Sequence, residues 1–204
     1  MLLNVSERSS ATYTRAYGFI PFPVTYALVY RLSKMGVGIL SGTKVLVGDG
    51  DTKSLLNERG FGELDGKRLV LSLAEALYLH DTEKLEVMKG GKKMSAEELI
   101  KEGTKSEKEF YNKYLVYKDL RESGLTVRTG LKFGTDYRLY DRGAKIGSSH
   151  SKTLVHVIPE EYTCSMPEMA RALRLAKNVN KKLIYAIVDE EGDITYYLVD
   201  RYKP

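Results

Sequence analysis

"KEFYNKYLVYKDLRESGLTVRTGLKFGTDYRLY", residues 108–140, decides how this chain folds. Its first half sets Phe110, Tyr114, Leu115, Tyr117 and Leu120 along one helical stripe, and Gly124 is a natural stop. Its second half changes period, because LTVRTG and FGTDYRLY alternate apolar with polar as strands do. Downstream, TLVHVIPE (153–160) reads as a third strand. Ser165 and Glu168 have capping-box spacing at the head of SMPEMARALRLAKNVN, and residues 181–202 close as a hairpin around Glu-Gly-Asp. Upstream, Thr104 and Glu107 have the same box spacing and are read as the start of the 108–124 helix.

The preceding stretch has its own signals. GILSGTKVLVGDG (38–50) reads as two short strands around a Ser-Gly turn, and Leu73, Leu77 and Leu79 with Ala76 and Tyr78 mark a short helix. KLEVMKGGKKM (84–94) is a hairpin with a Gly-Gly turn, and Ser95 with Glu98 opens a helix expected to run through about Glu102. The fold class is α/β in the mixed α+β sense. A small N-terminal α/β unit is expected over 37–105, then a C-terminal domain over 106–204 with a central mixed sheet flanked by helices. Residues 1–36 form an extension, with a short helix expected after Pro23.

A chain of 204 residues suffices for one large or two small domains. Cys164 is the single cysteine, so no disulfide framework and no paired-cysteine zinc site is expected, and a reducing compartment is the default. It reads as a small apolar filler near a helix start. Three histidines without HExxH or paired spacing argue against a metal centre, and no cofactor is expected. The net charge is +5, and from Ser106 onward 17 Lys/Arg stand against 14 Asp/Glu. Four of those acids, Asp189, Glu190, Glu191 and Asp193, share one turn, so the remainder of that half is basic and suits a polyanion partner. The longest apolar stretch, GFIPFPVTYALVY (18–30), is short and holds two prolines, which fits neither a membrane span nor a signal peptide. A soluble cytoplasmic protein is expected.

In DYRLYDRGAKIGSSHSKTLVHV (136–157), Tyr140 ends a strand and His150 stands beyond a Gly- and Ser-rich loop. Lys181 and Lys182 stand where the last helix gives way to the apolar strand LIYAIV. Tyr, His and Lys together suit proton transfer and stabilisation of an anionic transition state. Taken singly each has a plainer reading: a packing tyrosine, a solvated histidine, a surface lysine pair.

The stretches KYLVYKDLRESGLTVRTGLKFGTDYRLYDRG, HSKTLVHVIPE and RLAKNVNKKLIYAIVDEEGDITYYLV resemble the archaeal tRNA-splicing endonucleases, or tRNA-intron lyases. A weaker match through LSLAEALYL extends the similarity to about four-fifths of the chain, leaving residues 1–36 outside. The resemblance implies Tyr140 as base, His150 as acid and Lys181 as electrostatic partner. Lys181 is preferred over Lys182 on spacing from His150, and strand alternation turns the two lysines to opposite faces. It further implies cleavage of precursor tRNA at both intron boundaries in a bulge-helix-bulge motif. The 2′-hydroxyl of the substrate attacks, and the ends are a 2′,3′-cyclic phosphate and a 5′-hydroxyl, without a metal.

A phenol of ordinary pKa near ~10 is a poor base at neutral pH, so Tyr140 needs a nearby cation or instead orients the 2′-hydroxyl. Arg174 lies where some members clamp a bulge base, and an exposed helix arginine is the plainer reading. Lys132, Arg138, Arg142, Lys145 and Lys152 are backbone-contact candidates. The resemblance also implies that the acidic turn, with Asp189, Glu191 and Asp193, enters a polar cleft of another copy in a homotetramer. The alternatives are a non-catalytic structural subunit of a heteromeric splicing endonuclease and a simple RNA-binding module.

Overall fold

The computed structural model describes residues 35–143 and 149–202. The expected helix after Pro23, Lys145 and the middle of the Gly- and Ser-rich loop lie outside the described residues.

The first sheet has the order β3-β4-β2-β1-β5-β6. Its strands are β1 (Gly36–Ser41), β2 (Lys44–Val47), β3 (Glu63–Asp65), β4 (Arg68–Ser72), β5 (Leu85–Lys89) and β6 (Lys92–Lys93). Only β1 and β5 run parallel in it. Helices α1 (Gly50–Glu58), α2 (Leu73–Asp81) and α3 (Ala96–Ser106) belong to this half. α2 and α3 open on full capping boxes, Ser72 with Glu75 and Ser95 with Glu98, which satisfy backbone N–H groups at each helix start. Glu75 is buried and also accepts from the Gly62 amide at 2.8 Å, so one carboxylate ties the loop before β3 to the start of α2.

Helix α4 (Phe110–Glu122) leads into the second sheet, ordered β11-β10-β9-β8-β7. Its strands are β7 (Thr126–Thr129), β8 (Tyr137–Tyr140), β9 (Thr153–Pro159), β10 (Lys182–Val188) and β11 (Ile194–Val199), with β9 and β10 parallel and the other pairs antiparallel. Helix α5 (Met166–Asn178) forms the crossover between β9 and β10 and starts on the expected Ser165–Glu168 box. Alternation sorts the faces. Val127, Leu139, Val155, Val157, Ala186 and Val188 face α4, whereas Leu154, Leu183 and Tyr185 pack with Ala176 of α5.

The core does not stop between the sheets. Tyr117 of α4, 1% exposed, has its ring centroid 5.8 Å from Tyr78 of α2 and 5.8 Å from Tyr137 of β8. Edge and tilted ring pairs at this spacing add attraction to the area they bury. The hydroxyls of Tyr114 and Tyr196 add polar ties, to Asp81 of α2 and, at 2.7 Å, to Asp119 of α4. The mixed α+β class is the one observed.

Several local readings are corrected. Thr104 opens no helix: α3 runs on to Ser106, past the expected end near Glu102, and the Thr104 hydroxyl bonds back to the Ile100 carbonyl at 2.9 Å. α4 starts instead at Phe110, with Glu109 as an N-cap that makes no side-chain bond. α1, with Asp49 accepting from the Thr52 amide, and the β3–β4 hairpin lie in a stretch to which the sequence reading assigned no element. Cys164 is exposed rather than packed, because it precedes the buried face of α5.

Candidate active site

The end of β8 and the starts of β9 and β10 meet at one place in the second sheet. Backbone bonds lace them together: the Lys152 amide donates to the Leu139 carbonyl at 3.2 Å, and the Lys182 amide to the Lys152 carbonyl at 2.9 Å. After α5 the chain turns sharply through Asn180, whose φ of 54° is a left-handed conformation that asparagine tolerates better than most residues. That turn presents Lys181 to the loop before β9. Its ammonium donates to the Ser151 carbonyl and lies 5.3 Å from the Phe133 ring centroid. Partial desolvation, aided by the positive charge of Arg138, pushes the Lys181 pKa down. Lys182 is exposed.

His150 is exposed beside it. A pocket of about 570 Å³ is lined by Asp141, Ser149, His150, Ser151, Lys152, Val179, Asn180 and Lys181, so two residues 31 apart in sequence share one polar opening. Tyr140 is not among the lining residues. It ends β8 one residue before Asp141 and is 6% exposed. The cation over its ring is Arg138, with the guanidinium carbon 5.8 Å from the centroid.

The other residues singled out by sequence spread more widely. Arg174 is exposed on α5. Lys132 and Arg142 are exposed, and Lys152 pairs with Asp141 at 2.6 Å. The acidic turn forms between β10 and β11, braced from within: the Asp193 amide donates to the Asp189 carboxylate at 2.8 Å. Glu190, Glu191 and Asp193 are exposed. Among the described residues, no group of three or more His, Cys, Asp or Glu is placed to hold a metal ion, and no helix is long and apolar enough to cross a membrane.

A second, larger cleft of about 780 Å³ runs between the β3–β4 hairpin and the β7–β8 region. Asp136 and His156 lie on its wall. Burial opposes ionisation of Asp136, but bonds from His156, Lys113 and the Val157 amide outweigh it and hold the carboxyl below the usual range. Arg128 also lines this cleft and stands opposite Arg138 across the β7–β8 pair. Arg138 enters the sequence reading only as a backbone-contact candidate, and Arg128 not at all. The mirrored positions of the two arginines around the 130–136 turn are the signal that would have paired them.

Comparison with known proteins fits this arrangement of two joined halves. Residues 37–100 match the family model described as tRNA intron endonuclease, N-terminal domain, and residues 110–196 match that of the catalytic C-terminal domain. The chain belongs to the tRNA intron endonuclease family. It is similar to the tRNA-splicing endonuclease of Thermococcus gammatolerans, with 45% identity over 81% of this chain and 98% of the relative. The enzyme of the same name from Methanothermobacter thermautotrophicus is 46% identical over 71% of this chain and 84% of its own. That of Methanococcus vannielii is 45% identical over 78% and 89%.

Proposed function

We propose that this chain is a cytoplasmic tRNA-splicing endonuclease. It cuts precursor tRNA at both intron boundaries within a bulge-helix-bulge motif, leaves a 2′,3′-cyclic phosphate and a 5′-hydroxyl, and needs no metal. Residues 37–105 and 106–204 serve as its N-terminal and catalytic domains, with 1–36 an extension. The observation that carries the reading is the pocket in which His150 and Lys181 meet beside the end of the Tyr140 strand.

The chemistry asks little covalent work of the protein. The ribose 2′-oxygen bonds to the adjacent phosphorus, the bond from phosphorus to the 5′-oxygen breaks, and that oxygen leaves with a proton. His150 is exposed and free to supply the proton. Lys181 offsets the charge gathering on the phosphate, and its lowered pKa marks an ammonium short of solvation and receptive to an anion. Tyr140 takes the 2′-proton or orients the hydroxyl. The guanidinium of Arg138 lies over its ring, 5.8 Å from the centroid. Arg174, exposed on α5, is available to stack on a bulge base.

Incubating the purified chain with an intron-containing precursor tRNA in excess chelator tests this. Two cuts with cyclic-phosphate ends are expected; binding without cleavage overturns the enzymatic reading, and cleavage that stops with the chelator overturns metal independence.

An intron needs two cuts and the chain carries one set of Tyr140, His150 and Lys181, so copies must cooperate in a homotetramer. Three features support this. Among the described residues, the acidic turn has no cation within ion-pair distance and β11 has no strand beyond it at the sheet edge, and Tyr197 and Leu198 on it are 54% and 58% exposed. Neutralising Glu191 and Asp193 together is expected to lower the mass in solution and the cleavage rate in step. An unchanged mass by sedimentation would refute the role given to the turn.

A further inference from the structure

Lys181 is held differently from Lys113 and Lys152. Lys113 is clasped by Glu107 and Asp136, and Lys152 by Asp141 at 2.6 Å, so carboxylates neutralise both charges. Among the described residues, no carboxylate lies within 4 Å of the Lys181 ammonium. Its two anchors are uncharged: it donates to the Ser151 carbonyl and lies 5.3 Å from the centroid of the Phe133 ring.

The ring is itself fixed. Phe133 ends a single 3₁₀ turn, Leu131–Phe133, and the next residue, Gly134, has a φ of 67°, a left-handed conformation that glycine adopts at no steric cost. The Phe133 amide donates to the Gly130 carbonyl at 2.7 Å, and its side chain packs against the cluster of Leu154, Ala176 and Leu183 between α5 and the sheet. A lysine ammonium rides on a flexible four-carbon stem, and holding it at one point removes much rotamer freedom. A carboxylate would hold it but would cancel the charge that a phosphate calls for. An aromatic face attracts a cation through its quadrupole and leaves the full charge in place. That attraction grows as water is withdrawn, and desolvation is the main cause of the lowered Lys181 pKa.

We propose that Phe133 is a positioning residue for RNA cleavage: its ring, with the Ser151 carbonyl, holds the Lys181 ammonium where charge gathers on the scissile phosphate. Ser151 follows His150, so the same ammonium ties the loop of the general acid to the turn between β7 and β8. The inference rests on reading His150 and Lys181 as parts of an RNA-cleaving centre. The competing role for the ring is apolar packing alone.

The test uses the full chain and single-turnover cleavage of an intron-containing precursor tRNA at saturating enzyme. Replacing Phe133 with mono-, di- and trifluorinated phenylalanine keeps the shape of the ring while withdrawing negative charge from its face. The cleavage rate is expected to fall with each added fluorine, with precursor affinity unchanged. Phe133→Leu, which keeps an apolar side chain and loses the ring, is expected to slow cleavage about 2- to 30-fold, the range a cation over an aromatic face supplies. Against a Lys181→Met background, followed at its residual rate, neither change is expected to slow cleavage further, because the group that the ring positions is gone. A flat rate across the fluorine series overturns the proposal. So does a Phe133→Leu loss that persists undiminished without Lys181, which assigns the ring to packing. Lys181→Met that cleaves at the parental rate overturns the centre beneath the proposal, a separate failure because it is read with Phe133 intact.

Discussion

Replacing His150 with alanine is expected to slow precursor cleavage by about 10²–10⁴-fold, the usual worth of a positioned general acid, while precursor binding is kept. The imidazole is exposed in the same opening as Lys181, so its removal leaves a water-filled gap rather than a collapsed core. No buried partner is left unsatisfied, and the melting temperature should be unchanged. Single-turnover cleavage with saturating enzyme separates the chemical step from binding. Added imidazole is expected to restore part of the rate, which it would not do if His150 merely shaped the loop. A variant that cleaves at the parental rate would remove His150 from the mechanism.

The largest effect on stability is expected at Asp136. Its carboxylate, with a side chain 10% exposed, accepts from Lys113 at 2.5 Å, from His156 Nδ1 at 3.0 Å and from the Val157 amide at 2.8 Å. It thereby joins α4, β8 and β9. Asp136→Ala strips the half-buried Lys113 of one of its two partners and leaves the Val157 amide without its acceptor, a loss of about 1–3 kcal/mol. Urea denaturation reads the loss directly.

The pH dependence of this network has a fixed sign. The folded pKa of Asp136 is depressed, so its contribution is complete above the unfolded value near ~3.9 and fades as pH falls toward the folded one. For Lys113, burial is outweighed by its bonds to Asp136 and Glu107, and its pKa is raised. Its contribution is complete below ~10.4 and is lost as pH rises through the folded value. The melting temperature of the parent should therefore drop below about pH 4 by more than that of Asp136→Asn. Parallel acid profiles for the two proteins would contradict the network.

Legibility in the sequence followed the range of the interaction. α4, α5 and the alternating strands are written locally, in apolar periods closed by Gly124 and opened by Ser165. α1 escaped because Gly48, Asp49 and Gly50 read as a turn, whereas Asp49 caps a helix. The Thr104–Glu107 spacing misled because spacing alone cannot tell a cap from one more turn of a continuing helix, and Leu99 and Gly103 anchor that turn in the core. His150 and Lys181 were paired through a family resemblance, and the fold brings both into one pocket. The arginine pair needed strand register, which a one-residue shift would undo by turning one of the two guanidiniums to the other face.

The tyrosine column through Tyr78, Tyr117 and Tyr137 sets how damage travels in this protein. With one hydrophobic interior serving both sheets, the N-terminal half is a wall of the catalytic half's own interior. A lesion at Leu77 or Leu79, both fully buried in that interior and absent from the lining of the pocket, is expected to surface as a nuclease defect. Inherited or engineered changes in the first half should be sorted by what they do to that common interior before any is credited with a part in RNA recognition.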